Sequence, residues 1–514
     1  MQFVVIEPSQ AASALRPGFY LTRDNWNDWF KFQTLYGVLY VSDRGEKLNI
    51  GGIKIGQFGM VTGQWRPDIP DAFERLDNRF FSLGQDETYY LALDNLGQSL
   101  RESYLEATRD VAWDQDLFER ARNEDVMGVS LLRYLSPATV QGQFRRLARG
   151  EARLERYAFS YTSPGVQWPD IAPLALSFNV MPESQPPTNV HVLIGRNGVG
   201  KTTLLHRMTR ALADESSSPS ETGSFTTEIL DSPGQLFAGV VSVSFSAFDS
   251  FVPLPHRENR ARGTAYAYVG LKKIPDPEKA DSGTPKSESE LAEDFANSVS
   301  ACIAGSRIDR WRHALQILEA DPIFADAEVS ELADEELSGE MLQRGALALF
   351  SDLSSGHKIV LLMMTRLVET VEERTLVLLD EPEAHLHPPL LSAFVRALSD
   401  LLTNRNGVAL IATHSPVVLQ EVPQACVWKL RRSGRTVTAE RPEIETFGEN
   451  VGILTREIFG LEVSRSGFHR LIANAVQEGA SYDDVVLQFG NRLGGEAKGM
   501  VRALFAARES GESI

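Results

Sequence analysis

Lys201 and Thr202 close the run Gly195-Arg196-Asn197-Gly198-Val199-Gly200-Lys201-Thr202-Thr203, in which four residues separate Gly195 from Gly200. This spacing fits a phosphate loop. Glycines are needed where backbone N–H groups turn inward around a polyphosphate, because a β-carbon would block both the turn and the approach. A helix starting at the end of the run adds free N–H donors and the positive end of its dipole. Lys201 is then placed to reach the β and γ phosphates of ATP, and the Thr202 hydroxyl to bind Mg2+.

A second cluster lies in TLVLLDEPEAHLHPP, Thr375 to Pro389. An apolar run delivers Asp380 and Glu381 to the C-terminal end of a strand, where parallel sheets place their ligands. Asp380 is expected to hold the metal, and Glu381 to orient or deprotonate an attacking water. GVALIATHSP then reads as a further buried strand ending at His414, a candidate sensor of the γ phosphate. Between the two anchors, Leu353-Ser354-Ser355-Gly356-His357 precedes KIVLLMMTRLVETV, a helix apolar nearly all round and so expected to be buried. Small residues at its start leave first-turn N–H groups available to a phosphate. LSGEM, Leu337 to Met341, imitates this motif, and only the nearness of Leu353–His357 to Asp380 selects between the two.

The elements that must position these groups follow from hydrophobic period. Val192, Leu193 and Ile194 read as a buried strand before the loop, and a helix follows from Thr202. YAFSY and LALSFNV read as strands upstream, with Tyr161 and Phe178 as adenine-stacking candidates for which core packing is the better reading. GVVSVSFSAFDSF gives another buried strand running into a loop, and LKKIPDPEKADSGTPKSESE reads as a mobile polar linker. A core is therefore placed at 155–445, with a helical and linker insertion at about 252–345. Residues 1–154 form an N-terminal accessory region. There FQTLYGVLYV and LNIGGIKIGQFGM suit a hairpin turning at Asp43-Arg44-Gly45, and helical patterns run from Asp71 to Leu154. Arg145, Arg146 and Arg149 make a basic face, read as a solvated surface before a nucleic-acid contact. VWKLRRSGRTVTAER suits a second hairpin, carrying Lys429, Arg431, Arg432 and Arg435. Residues 446–514 are read as a helical tail, with a capping box at Ser481 and Asp484.

At 514 residues with 43% hydrophobic content, the chain implies several globular units. A net charge of −18 argues against a chain coated with nucleic acid, without excluding a local basic groove. Cys302 and Cys426, far apart, imply no disulfide framework. Neither a membrane span nor a signal peptide is visible, and the expected compartment is the cytoplasm.

Gly195–Thr202, Leu353–His357, Asp380–Pro389 and His414 together resemble the ABC-type ATPase heads of the OLD, RecF and SMC group. The form DEPEAHLHP is more similar to AAA-family ATPases of prokaryotic defence systems than to transporter cassettes. The resemblance implies an α/β fold: an ABC-type P-loop core with a mixed sheet and a helical insertion, an N-terminal hairpin and helical region, and a C-terminal helical region. It makes Leu353–His357 the signature sequence, with Ser355 where a glycine is usual. Ser354, Ser355 and Gly356 would act on the nucleotide of a second subunit, so that two chains pack head to tail. Where a glutamine often ends the strand equivalent to GVVSVSF in such heads, this sequence departs from the pattern with Ser246 and Asp249. The flanks DNWNDWFKFQTLYGVLYVSDRG, FFSLGQDETYY, SLLRYLSP and TREIFGLEVSRSGFHRLI resemble the ATPase subunit of Septu-type anti-phage systems. That resemblance implies a higher oligomer and a separately encoded HNH nuclease, with nucleic acid a possible further partner.

Other classes make distinct demands. A self-contained nuclease of the OLD type needs a TOPRIM domain, yet about a hundred residues follow His414 and Asp483-Asp484 falls on a helical pattern. A transporter cassette would be shorter and carry a glutamine near Ser246. An SMC-class DNA-repair head would carry a sustained heptad arm between the two halves of the core, and none is seen.

Overall fold

The computed structural model describes residues 2–10, 15–24, 31–60, 63–133, 135–151, 154–165, 172–214, 216–227, 236–246, 251–255, 264–275, 284–303, 307–333, 339–460, 467–479 and 481–510. Its centre is a seven-stranded sheet. The strands are β9 (Val190–Ile194), β11 (Gly239–Ser244), β12 (Ala265–Gly270), β13 (Thr375–Asp380), β14 (Val408–Thr413), β15 (Val427–Ser433) and β16 (Thr436–Glu440), in the order β12-β11-β13-β14-β9-β15-β16. All neighbours are parallel except β15 and β16, which form the hairpin expected around Ser433-Gly434. β9, β11 and β14 are buried along their whole length, as apolar runs without alternation must be when both sheet faces are covered.

Alternate residues feed opposite layers. Val377 and Leu379 of β13 join the core formed with the helices Glu288–Cys302, Arg307–Leu318, Ser355–Thr370 and Pro388–Thr403. Leu376 and Leu378 face the other way, toward the helix Lys201–Ala213 and a three-stranded antiparallel sheet. That sheet is β10 (Ser224–Thr227), β7 (Tyr157–Thr162) and β8 (Ala175–Val180), in the order β10-β7-β8. The Ser355–Thr370 helix buries His357, Val360, Leu361, Leu362, Met363, Met364, Thr365, Leu367 and Val368, as its all-round apolar sequence requires. β12 lies inside the stretch read as an insertion, yet it pairs with β11 and belongs to the central sheet.

The N-terminal region is larger than the expected hairpin. β3 (Leu35–Val41) and β4 (Lys47–Gln57) do pair antiparallel across Asp43-Arg44-Gly45. They sit within a six-stranded sheet, β5-β1-β2-β3-β4-β6, with β1 (Phe3–Ile6), β2 (Gly18–Arg23), β5 (Ala72–Phe73) and β6 (Phe80–Gly84). β6 falls where a helical pattern was expected. All five of its residues are buried, and such a short run carries no period that separates strand from helix. Helices pack on this sheet around clustered aromatics, with Phe3 stacked on Phe73 at 4.9 Å and Phe19 tilted against Tyr104 at 4.7 Å between ring centroids.

Ion pairs dock this region on the core. Arg405 Nη1 lies 2.7 Å from Glu87, Arg146 Nη2 lies 2.7 Å from Glu373, and the Ser136 N–H donates to Glu372 at 2.7 Å. Arg146, read as part of a solvated basic face, is therefore an interdomain contact. The C-terminal helices Gly467–Glu478, Tyr482–Gln488 and Gly495–Ser510 form a small core of their own, including Ile472, Val485 and Val501.

One buried acid in the N-terminal region has a pH signature. Asp110 accepts N–H bonds from Ala112 (2.8 Å) and Trp113 (3.2 Å) and an O–H bond from Tyr90 (3.1 Å), but burial dominates and pushes its carboxyl up to about 7. The folded state then binds the proton more tightly than the unfolded chain, so this group's contribution falls as pH rises from the ordinary carboxylate range toward 7, by up to about 1.4 kcal/mol per pH unit. Asp110→Asn is expected to flatten the fall in thermal midpoint between pH 4 and 7, as measured by calorimetry. A profile that keeps the wild-type slope would remove Asp110 as its source.

Candidate active site

The phosphate loop leaves β9 at Gly195 and enters the helix at Lys201. Gly198 (φ +80°) and Gly200 (φ +102°) adopt backbone that side chains resist, which curls the loop back on itself. Gly195 is needed for a different reason: a Cβ there would meet the Leu430 carbonyl oxygen of neighbouring β15 at 2.5 Å. Arg196, Asn197, Gly198 and Thr203 are exposed, Thr202 is half-buried and Lys201 is buried. The Lys201 ammonium donates to the Gly195 (3.0 Å) and Arg196 (3.3 Å) carbonyls, so it is held at the mouth of the loop by the backbone it would leave for a phosphate. Arg432 reaches over from β15 to the Gly198 carbonyl at 3.2 Å.

β13 and β14 bring the other groups to the same sheet edge. Asp380 ends β13, and Glu381 follows with φ +46°, a left-handed conformation that costs a non-glycine residue on the order of 1 kcal/mol. The turn sets Glu381 Oε1 3.8 Å from Lys201 Nζ and 3.6 Å from His414 Nδ1. Glu383, which sequence reasoning passed over, fixes this corner. Its Oε1 accepts the Thr413 hydroxyl and the His414 N–H (2.8 Å), and lies 3.2 Å from His414 Nδ1. The only hint was its place in the Asp-Glu-Pro-Glu run. Glu381 and His414 thus directly follow the neighbouring strands β13 and β14, and Lys201 opens the helix reached through the loop after β9, the next strand in the sheet.

Other expected residues are placed as follows. Ser354 and Ser355 are exposed at the start of the Ser355–Thr370 helix, and Gly356 is pressed against the 381–389 turn, where a Cβ would meet the His385 carbonyl at 2.5 Å. Tyr161 and Phe178 are fully packed in the core, with no ring face open to an adenine. Ser246 is half-buried beyond the end of β11, while Asp249, Leu337 and Ser338 lie outside the described residues. Lys429 is buried against Glu457 (2.9 Å) and Glu440 (3.3 Å), and Arg431 pairs with Glu440 (3.2 Å), so these two are occupied within the chain. For a magnesium–nucleotide complex the residues fit: a curled glycine loop, a lysine at its mouth, a hydroxyl in the first turn of the helix that follows and a carboxylate at the end of β13.

A curated relative, protein ea59 of Escherichia phage lambda, is 40% identical over 539 residues, covering 100% of this chain and 99% of that protein. This chain belongs to the ea59 family. Residues 259–420 also match the family described as "AAA domain, putative AbiEii toxin, Type IV TA system". That match includes Ser354, Asp380, Glu381 and His414 and begins beyond the phosphate loop. Solved structures align more faintly. An ATP-binding cassette of an ABC transporter in its ADP conformation is 13% identical, covering 60% of this chain and 98% of that one at a TM-score of 0.30. The SMC head domain from Thermotoga maritima is 11% identical, covering 56% and 100% at 0.27. At such scores the fold is read from this chain's own topology: an α/β fold of the P-loop ATPase type with a mixed central sheet, a second antiparallel sheet and packed helices. No helix among the described residues is long and apolar enough to cross a membrane.

Proposed function

We propose that this ea59-family protein binds ATP with magnesium between two copies packed head to tail, hydrolyses it, and uses closure and opening to control a separately encoded nuclease in an anti-phage complex. The observation that carries the reading is the approach of Lys201, at the end of the glycine loop, and His414, just after β14, to the Glu381 carboxylate just after β13. Lys201 and the loop N–H groups bind and orient the phosphates. Glu381 holds or accepts a proton from the attacking water, and His414, steadied by Glu383, stands within reach of the same carboxylate. Magnesium bound through Thr202 and Asp380 supplies neutralising charge on the phosphoryl oxygens.

The need for a second copy follows from charge. The γ phosphoryl gathers negative charge in the transition state and requires donors on the side away from the loop. Ser354 and Ser355 offer them: both are exposed, the helix they open has no side-chain cap of its own, and the helix body is locked in the core. Nuclease control in trans is supported by the resemblance of the flanks to Septu-type ATPases.

Ser354→Ala is expected to leave ATP binding to the single chain unchanged while abolishing ATP-driven dimerisation in light scattering and lowering turnover about 100-fold. Wild-type dimerisation and turnover would remove Ser354 from the site. The purified chain with DNA and divalent metal is expected to leave the DNA uncut, and cleavage would end the in-trans reading.

A further inference from the structure

Away from the phosphate loop, three elements distant in sequence bring Asp321, His357 and His387 to one point. Asp321 caps the helix Pro322–Asp326, His357 sits in the first turn of Ser355–Thr370, and His387 caps Pro388–Thr403. His357 Nε2 lies 3.2 Å from Asp321 Oδ1, and His387 Nε2 lies 3.1 Å from Asp321 Oδ2. One ligand atom from each residue lies within 4.8 Å of the other two. The Asp321 and His357 side chains are 4% and 5% exposed, whereas His387 is 49% exposed and opens the cluster to solvent.

We infer that Asp321, His357 and His387 form a binding site for a divalent transition metal, with zinc the best match. Two imidazoles and a carboxylate select such ions over magnesium or calcium, which take oxygen ligands. Ligands at about 2.0–2.1 Å from a tetrahedral zinc stand roughly 3.3 Å apart; here the two nitrogens approach different Asp321 oxygens and one atom from each residue lies within 4.8 Å of the others, so the side chains would draw in on one oxygen to hold the ion. Three protein ligands with an open, solvent-facing side leave the fourth position to water. Ser354 supplies the outer support that metal-bound histidines need, with its Oγ 2.6 Å from His357 Nδ1.

The competing arrangement is a hydrogen-bonded His–Asp–His chain in which both Nε2 atoms carry protons. At His387 the structure as it stands fits that chain, and a metal would change it. There Nδ1 accepts the Leu390 N–H at 3.4 Å, a long bond that a metal on Nε2 would displace by moving the proton to Nδ1. The metal also has a consequence at Ser354. A metal on His357 Nε2 leaves Nδ1–H donating to Ser354 Oγ, so the serine's own hydrogen is turned outward, available to a phosphoryl oxygen. This coupling rests on the role proposed above for Ser354, whereas metal binding itself does not.

The test uses the untagged full chain, stripped with a chelator and titrated with zinc chloride against a chromophoric competitor, with metal content read by mass spectrometry. The wild type is expected to take up one equivalent of zinc that excess magnesium does not displace. His387→Asn keeps a helix-capping oxygen but no imidazole, so it should melt like the chelated wild type and bind zinc about 100-fold more weakly. Absence of zinc uptake at micromolar concentration, or equal affinity in His387→Asn, overturns the site. With the chelator removed and magnesium restored in excess, loss of ATP-driven dimerisation in the zinc-stripped protein that returns on adding zinc supports the coupling. Dimerisation in magnesium that is indifferent to zinc removal overturns the coupling alone.

Discussion

Lys201→Ala is expected to eliminate measurable ATP binding and to lower turnover by about 1000-fold or more, the scale of losing a fixed charge aimed at a developing one. The ammonium is already at the loop mouth, bonded to the Gly195 and Arg196 carbonyls, so little rearrangement separates its resting position from a phosphate. Loss of these two bonds costs on the order of 1–3 kcal/mol of stability, partly offset by the higher helix propensity of alanine at the first helical position. The variant should therefore remain folded, as circular dichroism would show, while titration calorimetry with a non-hydrolysable ATP analogue shows no heat of binding. A folded variant with wild-type affinity and turnover would end the phosphate-loop assignment.

Glu381→Gln separates binding from chemistry. Glutamine keeps the shape of the side chain and bears the same strain at φ +46°, but it cannot take a proton from water. Turnover is expected to fall by roughly 100- to 1000-fold while ATP affinity stays within about threefold, so closed dimers accumulate with ATP and persist through size exclusion. Normal turnover would strip Glu381 of its role. Glu383→Gln serves as the contrast, since Glu383 holds Thr413 and the His414 backbone rather than facing Lys201. An effect at Glu383 equal to that at Glu381 would show that the geometry of the corner, not the base itself, limits the rate.

Legibility in the sequence followed the range of the interactions. The glycine loop, the strand before it and the Asp380-Glu381 pair can all be read from contiguous residues, because curling a backbone around a phosphate and ending a buried strand in two acids are local requirements. The buried helix after Gly356 was legible for the same reason, its apolar residues leaving no polar face to present to water.

Where contacts join distant segments, local spacing carried no information. The hairpin Leu35–Gln57 was visible, yet its place in a six-stranded sheet depends on β1, β5 and β6, which are too short to show a period. β12 returns to the central sheet from within a polar stretch, and Arg146 finds Glu373 across more than two hundred residues. The support of His414 by Glu383 and the gathering of Asp321, His357 and His387 arise only when separate strands and helices are packed side by side. A run of residues specifies which groups are delivered to an element's end and which face is apolar. Which ends meet is settled by burying those apolar faces together, and the fine chemistry of the site depends on that meeting.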